Sequence, residues 1–201
     1  LMEAVVKSKE RGYSGRFHDD LNGQVLRDDL VKAACAKELA FFTSKGVWRK
    51  VTRSKARASS GRNPITVRWV DVNKGDDIRP NYRSRLVVRQ IKAKDRSGIC
   101  YFAPTPPLEA LRTVLSLAVT VLPGWKPDLR PDSKSRTQIS FLDISRAYFN
   151  AKVDEGSETY VALPGEAPDQ LTMCAKLLRH MYGTRAAADG RQEEYSSTLV
   201  N

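Results

Sequence analysis

The sequence predicts an α+β chain in which antiparallel β hairpins pack with helices, and three stretches predict it. Residues 65–72 (ITVRWVDV) and 81–91 (NYRSRLVVRQI) have the composition and period-2 pattern of strands. Between them, NKGDD at 73–77 supplies turn chemistry, so the pair reads as a hairpin. Residues 105–122 (TPPLEALRTVLSLAVTVL) place Leu108, Leu111, Leu115, Val119 and Leu122 on one face of a helix, widened by Val114, Leu117 and Val121. A third stretch opens on Asp28 or Asp29 and carries Leu30, Ala33, Ala34, Leu39, Ala40 and Phe41 before Gly46 stops it, which is a second helix with acids at its start.

Each element follows from its residues. Residues 1–27 form a polar arm with Gly12, Gly15 and Gly23, and the string FHDD (Phe17 to Asp20) reads as chance within a loosely attached acidic linker. Trp48 and Val51 mark a short strand, and residues 52–63 a basic, polar loop. In the return strand of the hairpin, Tyr82, Ser84, Leu86 and Val88 share one face, and Arg83, Arg85, Val87 and Arg89 the other. Three arginines on one face repel each other and are better tolerated beneath an anion or a carboxylate. Guanidinium forks suit phosphate oxygens, but a solvent-facing strand accounts for the pattern equally well. In the 105–122 helix Thr105 is the expected cap, Pro106 or Pro107 fits the first turn, and Glu109 complements the dipole. This helix is expected to be buried and structural. Residues 123–138 read as loop, 139–143 (ISFLD) as a strand ending on a carboxylate, and 145–150 as a short helical turn. ETYVALPGEAP gives a brief strand and a Pro/Gly turn. A last helix is expected from Leu171 to about His180, continuing through a break at Gly183.

Composition narrows the function classes. The chain has 201 residues, enough for one large domain or one and a half small ones, with 41% hydrophobic and 28% charged residues. No apolar run reaches membrane-spanning length, no secretory core is visible at the start, and no membrane association is expected. Cys35, Cys100 and Cys174 are odd in number and lack CxxC spacing, and His18 and His180 lie far from them. Buried or idle thiols in a reducing compartment are expected rather than zinc or a disulfide framework. No GxxxxGK[ST], GxGxxG, HExxH or GxSxG is present, which removes the common motif-readable hydrolase and dehydrogenase classes. The net charge is +11, and residues 49–96, with fifteen Lys/Arg against four Asp/Glu, hold all of the excess. Such concentration favours a polyanion, nucleic acid or nucleotide phosphate, over an ordinary solvated face.

Asp143 is the candidate reactive residue. A strand-end carboxylate can hold Mg²⁺ beside a phosphate, and a nearby aromatic, Tyr148 or Phe149, can pack against a sugar. An ordinary strand end remains the alternative on these residues alone.

Several segments in order resemble the reverse transcriptases of copia-type LTR retrotransposons. FLDISRAYFNA is similar to the family's strand-end Asp followed by Ala-aromatic. VWRKV resembles its Trp-containing opening strand, and VRWVDVNKGDDIRPNYRSRLVVRQ its fingers hairpin. YFAPTPPLEALRTVLSLA resembles its Phe-Ala-Pro helix start. YVALPGEAP and CAKLLRHMYGTRAAADGRQEEYSSTL are similar to its Tyr-Val-x-x-Pro and Lys-Leu-x-x-x-Leu-Tyr-Gly-Leu segments. The resemblance covers residues 28–201 and implies the fingers and part of the palm of a right-hand polymerase. It implies two-metal RNA-directed DNA polymerisation in a full-length parent, using Mg²⁺, an RNA template, a DNA primer and deoxynucleotide triphosphates. The implied remainder of a Pol polyprotein is a thumb, an RNase H domain and an integrase. The implied location is intracellular, particle-associated in the cytoplasm or nuclear. By the same resemblance Asp143 is the first of three metal-binding carboxylates and Ile144 contacts the second ion or the triphosphate through its main chain. Tyr148 is the steric gate under the sugar, Arg83 and Arg85 reach the triphosphate, and Gly183 lies in the segment that follows the template and incoming base.

The sequence also departs from that family. An aromatic-x-Asp-Asp hairpin is expected downstream of MYG and does not occur before Asn201, and FHDD precedes the fingers. Arg191 stands where the family often has Trp, and the family's nearby Pro is missing. This chain on its own is therefore expected to be inactive. The alternative reading is a non-catalytic basic module that binds nucleic acid.

Overall fold

The computed structural model describes residues 12–90, 106–120, 139 and 143–200. They fall into two compact units, one drawn from 1–101 together with 146–201 and one drawn from 102–145. In chain order the elements are α1 (Asp28–Lys45), β1 (Trp48–Thr52), α2 (Arg53–Ser60), β2 (Val67–Asn73), β3 (Tyr82–Val88), α3 (Leu108–Val119), a 3₁₀ turn (Ala147–Phe149), β4 (Tyr160–Ala162), β5 (Met173–Leu177) and α4 (Ala187–Val200). Helix α3 belongs to the second unit and every other element to the first. The described chain is thus mixed α and β, with antiparallel strands and four α-helices.

Helix α1 begins at the expected acids, Asp28 and Asp29, and ends on Gly46. There a left-handed φ of 62° lets the glycine N–H reach the Phe42 and Thr43 carbonyls. Its buried stripe is Val31, Ala34, Cys35, Glu38 and Phe42, the spacing of a core-facing helix with one acid inside it. Strands β2 and β3 pair as the expected hairpin, with Trp69 opposite Leu86 and Asp71 opposite Ser84. Strand β5 lies between β1 and β4 in a three-stranded sheet. The two sheets are stitched at Ile65, whose N–H donates to the Tyr160 carbonyl at 2.9 Å and whose carbonyl accepts from Ala162 N–H at 2.8 Å. Phe42, Val47, Leu86, Val88, Phe149, Val161, Leu177 and Met181 form the core between α1 and the strands.

Several expectations are corrected. Residues 53–60, expected as loop, form helix α2, because Thr52 Oγ1 caps the Lys55 N–H and Gly61 closes the other end in a left-handed turn. The expected helix from Leu171 to His180 is strand β5, and helix α4 starts only at Ala187. Cys174, Ala175 and Leu177 are buried. A short apolar run with both faces covered lacks the alternation that would have marked it as a strand. Helix α3 forms within the expected span but none of its residues is buried, and Leu108, Leu111, Val114, Leu117 and Val119 are exposed.

The arm is also not loose over the part described. Asp19 accepts from the backbone N–H of Asn73 at 2.8 Å and Asp20 from that of Asp71 at 2.9 Å. Leu26 packs with Val31 and Cys35. FHDD therefore ties the arm to the hairpin. The expected strand at 139–143 lies mostly outside the described residues, as do Thr105 and residues 123–138. No helix among the described residues is long and apolar enough to cross a membrane.

Candidate functional site

The side chains brought together on the first unit converge on Tyr182. Tyr182 follows β5 and is fixed at its backbone, since its carbonyl accepts from Val88 N–H at 2.8 Å. The Arg85 guanidinium lies 5.3 Å from the centre of its ring, within the range of a cation–π contact. Tyr148, on the 3₁₀ turn, meets the same ring edge-on at 5.2 Å, and Phe149 does so at 5.1 Å. Two of the sequence-derived nucleotide contacts, Arg85 and Tyr148, are thus linked through one aromatic residue. Burial pushes the Tyr182 hydroxyl above its ordinary pKa, while Arg85 pulls the other way.

Behind this group stands Glu38 of α1, 3% exposed. Its Oε2 forms an ion pair with Arg146 Nη2 at 2.8 Å, and the Arg146 guanidinium covers the Phe41 ring at 3.9 Å. Burial pushes the Glu38 carboxyl above the usual carboxylate range, against the opposing charges of Arg146, Arg83 and Arg85. The charges of the arginine face therefore act on a carboxylate from α1, one of the alternatives the strand pattern left open. Arg83 itself is exposed.

Gly183 turns at φ 81°, and a Cβ there would stand 2.1 Å from the Val88 carbonyl oxygen. Its place is thus set by close approach to β3. Asp143 and Ile144 belong to the second unit, and both are exposed. Asp143 supplies a single carboxylate, and among the described residues no three His, Cys, Asp or Glu side chains converge as metal ligands do. Among the described residues, then, the donors do not amount to a two-ion site.

A second feature is a groove of about 800 Å³ where residues 62–65, leading from α2 into β2, run beside β4, lined by Ser59, Arg62, Asn63, Arg89, Gln90 and Glu158 among others. Glu158 is already neutralised. Lys176 donates to its carboxylate, as do Tyr160 and Ser59, and together they hold it down at about 2. Arg62 and Arg89 are exposed and form no ion pair among the described residues.

Sequence reasoning did not single out Glu38, Arg146, Tyr182 or Arg62. Glu38 had a legible signal, an acid on the apolar stripe of α1. Arg146 had none, because its partner lies over a hundred residues upstream. Compared with family models, curated proteins and solved structures, the chain matches none.

Proposed function

We propose that this chain supplies the fingers and part of the palm of a retrotransposon reverse transcriptase. Its full-length parent would extend a DNA primer on an RNA template. The ordered motifs from VWRKV to MYG support the reading, and one geometric observation carries it furthest. Arg85, the proposed triphosphate contact, and Tyr148, the proposed sugar gate, both touch Tyr182. A guanidinium and an aromatic edge held by one ring suit the two ends of a nucleotide, its phosphates and its sugar. In this reading the resemblance assigns Asp143 to metal binding and the Ile144 main chain to the second ion or the triphosphate. Arg83 reaches the phosphates beside Arg85, and Gly183 keeps the chain close to β3 where a template base would pass. In a complete enzyme Asp143 would help to hold magnesium, which would supply neutralisation of phosphate charge. In this reading the further carboxylates belong to an aromatic-x-Asp-Asp hairpin, and no such string follows MYG in this sequence.

The test is titration of the chain with a deoxynucleoside triphosphate, with and without magnesium. Weak, magnesium-assisted binding is expected. Asp143→Asn should remove the magnesium assistance and Arg85→Ala should weaken binding with or without the metal. Each loss should be roughly tenfold, the size of one charge-assisted hydrogen bond. Equal affinity of wild type and Asp143→Asn in magnesium would sink the reading.

The groove favours a second reading, a nucleic-acid-binding module that uses phosphates alone. Arg62 and Arg89 flank it with no ion pair among the described residues, and its one lining acid, Glu158, is spoken for by Lys176. Oligonucleotide binding that ignores both magnesium and Asp143 would select this second reading over the first.

A further inference from the structure

Two polar atoms near Tyr182 are buried without a hydrogen bond among the described residues, Glu38 Oε1 and Arg85 Nε. Buried groups are normally satisfied, so each such atom asks for a reason. Glu38 occupies a position on the core-facing stripe of α1 where Leu or Met would fill the space without burying a charge. What the acid does is hold Arg146. That guanidinium is gripped from two sides, by Glu38 Oε2 at 2.8 Å and by the Phe41 ring at 3.9 Å.

Arg146 is also the only non-glycine residue with positive φ among the described residues, at 52°. A bulky side chain keeps a left-handed backbone only where its surroundings over-determine it. The carbonyl of this same residue accepts the Phe149 N–H at 3.0 Å and so opens the turn Ala147–Phe149. The direction in which the chain enters the Tyr148 turn is therefore set at Arg146, and Arg146 is set by α1.

We propose that Glu38 is a positioning residue. With Phe41 it clamps Arg146 and thereby fixes the Tyr148 ring against Tyr182, so that an acid on α1 governs how the ring meets a nucleotide sugar and how well deoxyribose is told from ribose. The sugar half of this rests on the function proposed above, and the clamp itself does not.

The experiment reads both halves separately. The full chain is labelled with 3-fluorotyrosine, and the Tyr148 resonance is assigned by its loss in Tyr148→Phe. In Glu38→Gln that resonance should move or broaden while that of Tyr160, on β4, stays in place. Glu38→Asp, which keeps the charge on a shorter arm, should recover part of the change. Since a half-buried guanidinium left without its partner could unfold the chain, Glu38→Met with Arg146→Met removes both charges at once. That variant should fold and still show a displaced Tyr148. An unmoved Tyr148 in the folded variants overturns the clamp. Affinities for magnesium dATP and magnesium ATP are then compared. Wild type should prefer dATP, and Glu38→Gln should narrow that preference by roughly tenfold, part of the about hundredfold by which one added hydroxyl is discriminated. A moved resonance with no wild-type preference overturns the sugar-gate reading and leaves the clamp standing. A wild-type preference that survives in Glu38→Gln overturns the proposed governance of the sugar.

Discussion

Gly183 is a residue whose identity is dictated by one close approach. It sits at φ 81°, where side chains are strained, and a Cβ would stand 2.1 Å from the Val88 carbonyl and 2.7 Å from Val87 Cγ1. Val88 is not free to retreat, because its N–H donates to Tyr182 and its side chain lies in the core. Gly183→Ala should therefore destabilise the chain by more than about 2 kcal/mol, adding strain at positive φ to a backbone clash. Urea denaturation checks this, and a loss under about 0.5 kcal/mol would show that the turn yields. The sequence marked Gly183 as a break but gave no hint of the strand it presses against, since that strand lies nearly a hundred residues earlier. Glu38 was more legible, as an acid at 31, 34, 35, 38, 42 spacing on α1, yet its partner was hidden for the same reason. Asp19 and Asp20 show the opposite error. Their letters looked like solvated linker, whereas both accept backbone N–H groups of β2.

At the scale of elements, Glu158 joins three of them. Its carboxylate accepts from Lys176 on β5, from Tyr160 on β4 and from Ser59 on α2. These donors, Lys176 foremost, lower its pKa from 4.5 to about 2. A carboxyl whose folded pKa is depressed stabilises the fold above its unfolded pKa, and that contribution is lost as the pH falls through the folded value. Glu158→Gln should thus lower the urea midpoint at pH 6, and the gap to wild type should close between about pH 4.5 and pH 2. A gap that persists unchanged at pH 2 would mean the carboxylate charge is not what joins these elements. Legibility among the elements tracked local signals. The β2–β3 hairpin was readable because its alternation and its turn lie within the 22 contiguous residues from Val67 to Val88. Helix α2 carried its caps, Thr52 and Gly61, in plain view but had only Ala56 to bury, so it lacked the apolar period that identifies a helix. Strand β5 was read as helix because MCAKL covers both faces, and only its pairing with β1 and β4 makes it a strand.

At the scale of the whole molecule, the excess charge within 49–96 is partly consumed by the fold. Lys50 pairs with Asp169 and Arg68 with Asp20, Arg53 donates to the Gln170 carbonyl, and Arg85 lies on Tyr182. Arg62 and Arg89 flank the groove with no ion pair among the described residues. If a single strand of nucleic acid lies there, those two guanidiniums displace counterions and Lys50 does not. Binding of a single-stranded oligonucleotide should weaken steeply with salt, and Arg62→Ala with Arg89→Ala should flatten the plot of log affinity against log salt by about 1.4, or 0.7 for each phosphate no longer neutralised. Lys50→Ala should change that slope far less, because Asp169 already balances the lysine. Fluorescence anisotropy at four or five salt concentrations measures all three slopes. Equal flattening by the double variant and by Lys50→Ala would mean that the basic segment attracts nucleic acid as a diffuse cloud of charge, and that the groove gives the strand no particular path.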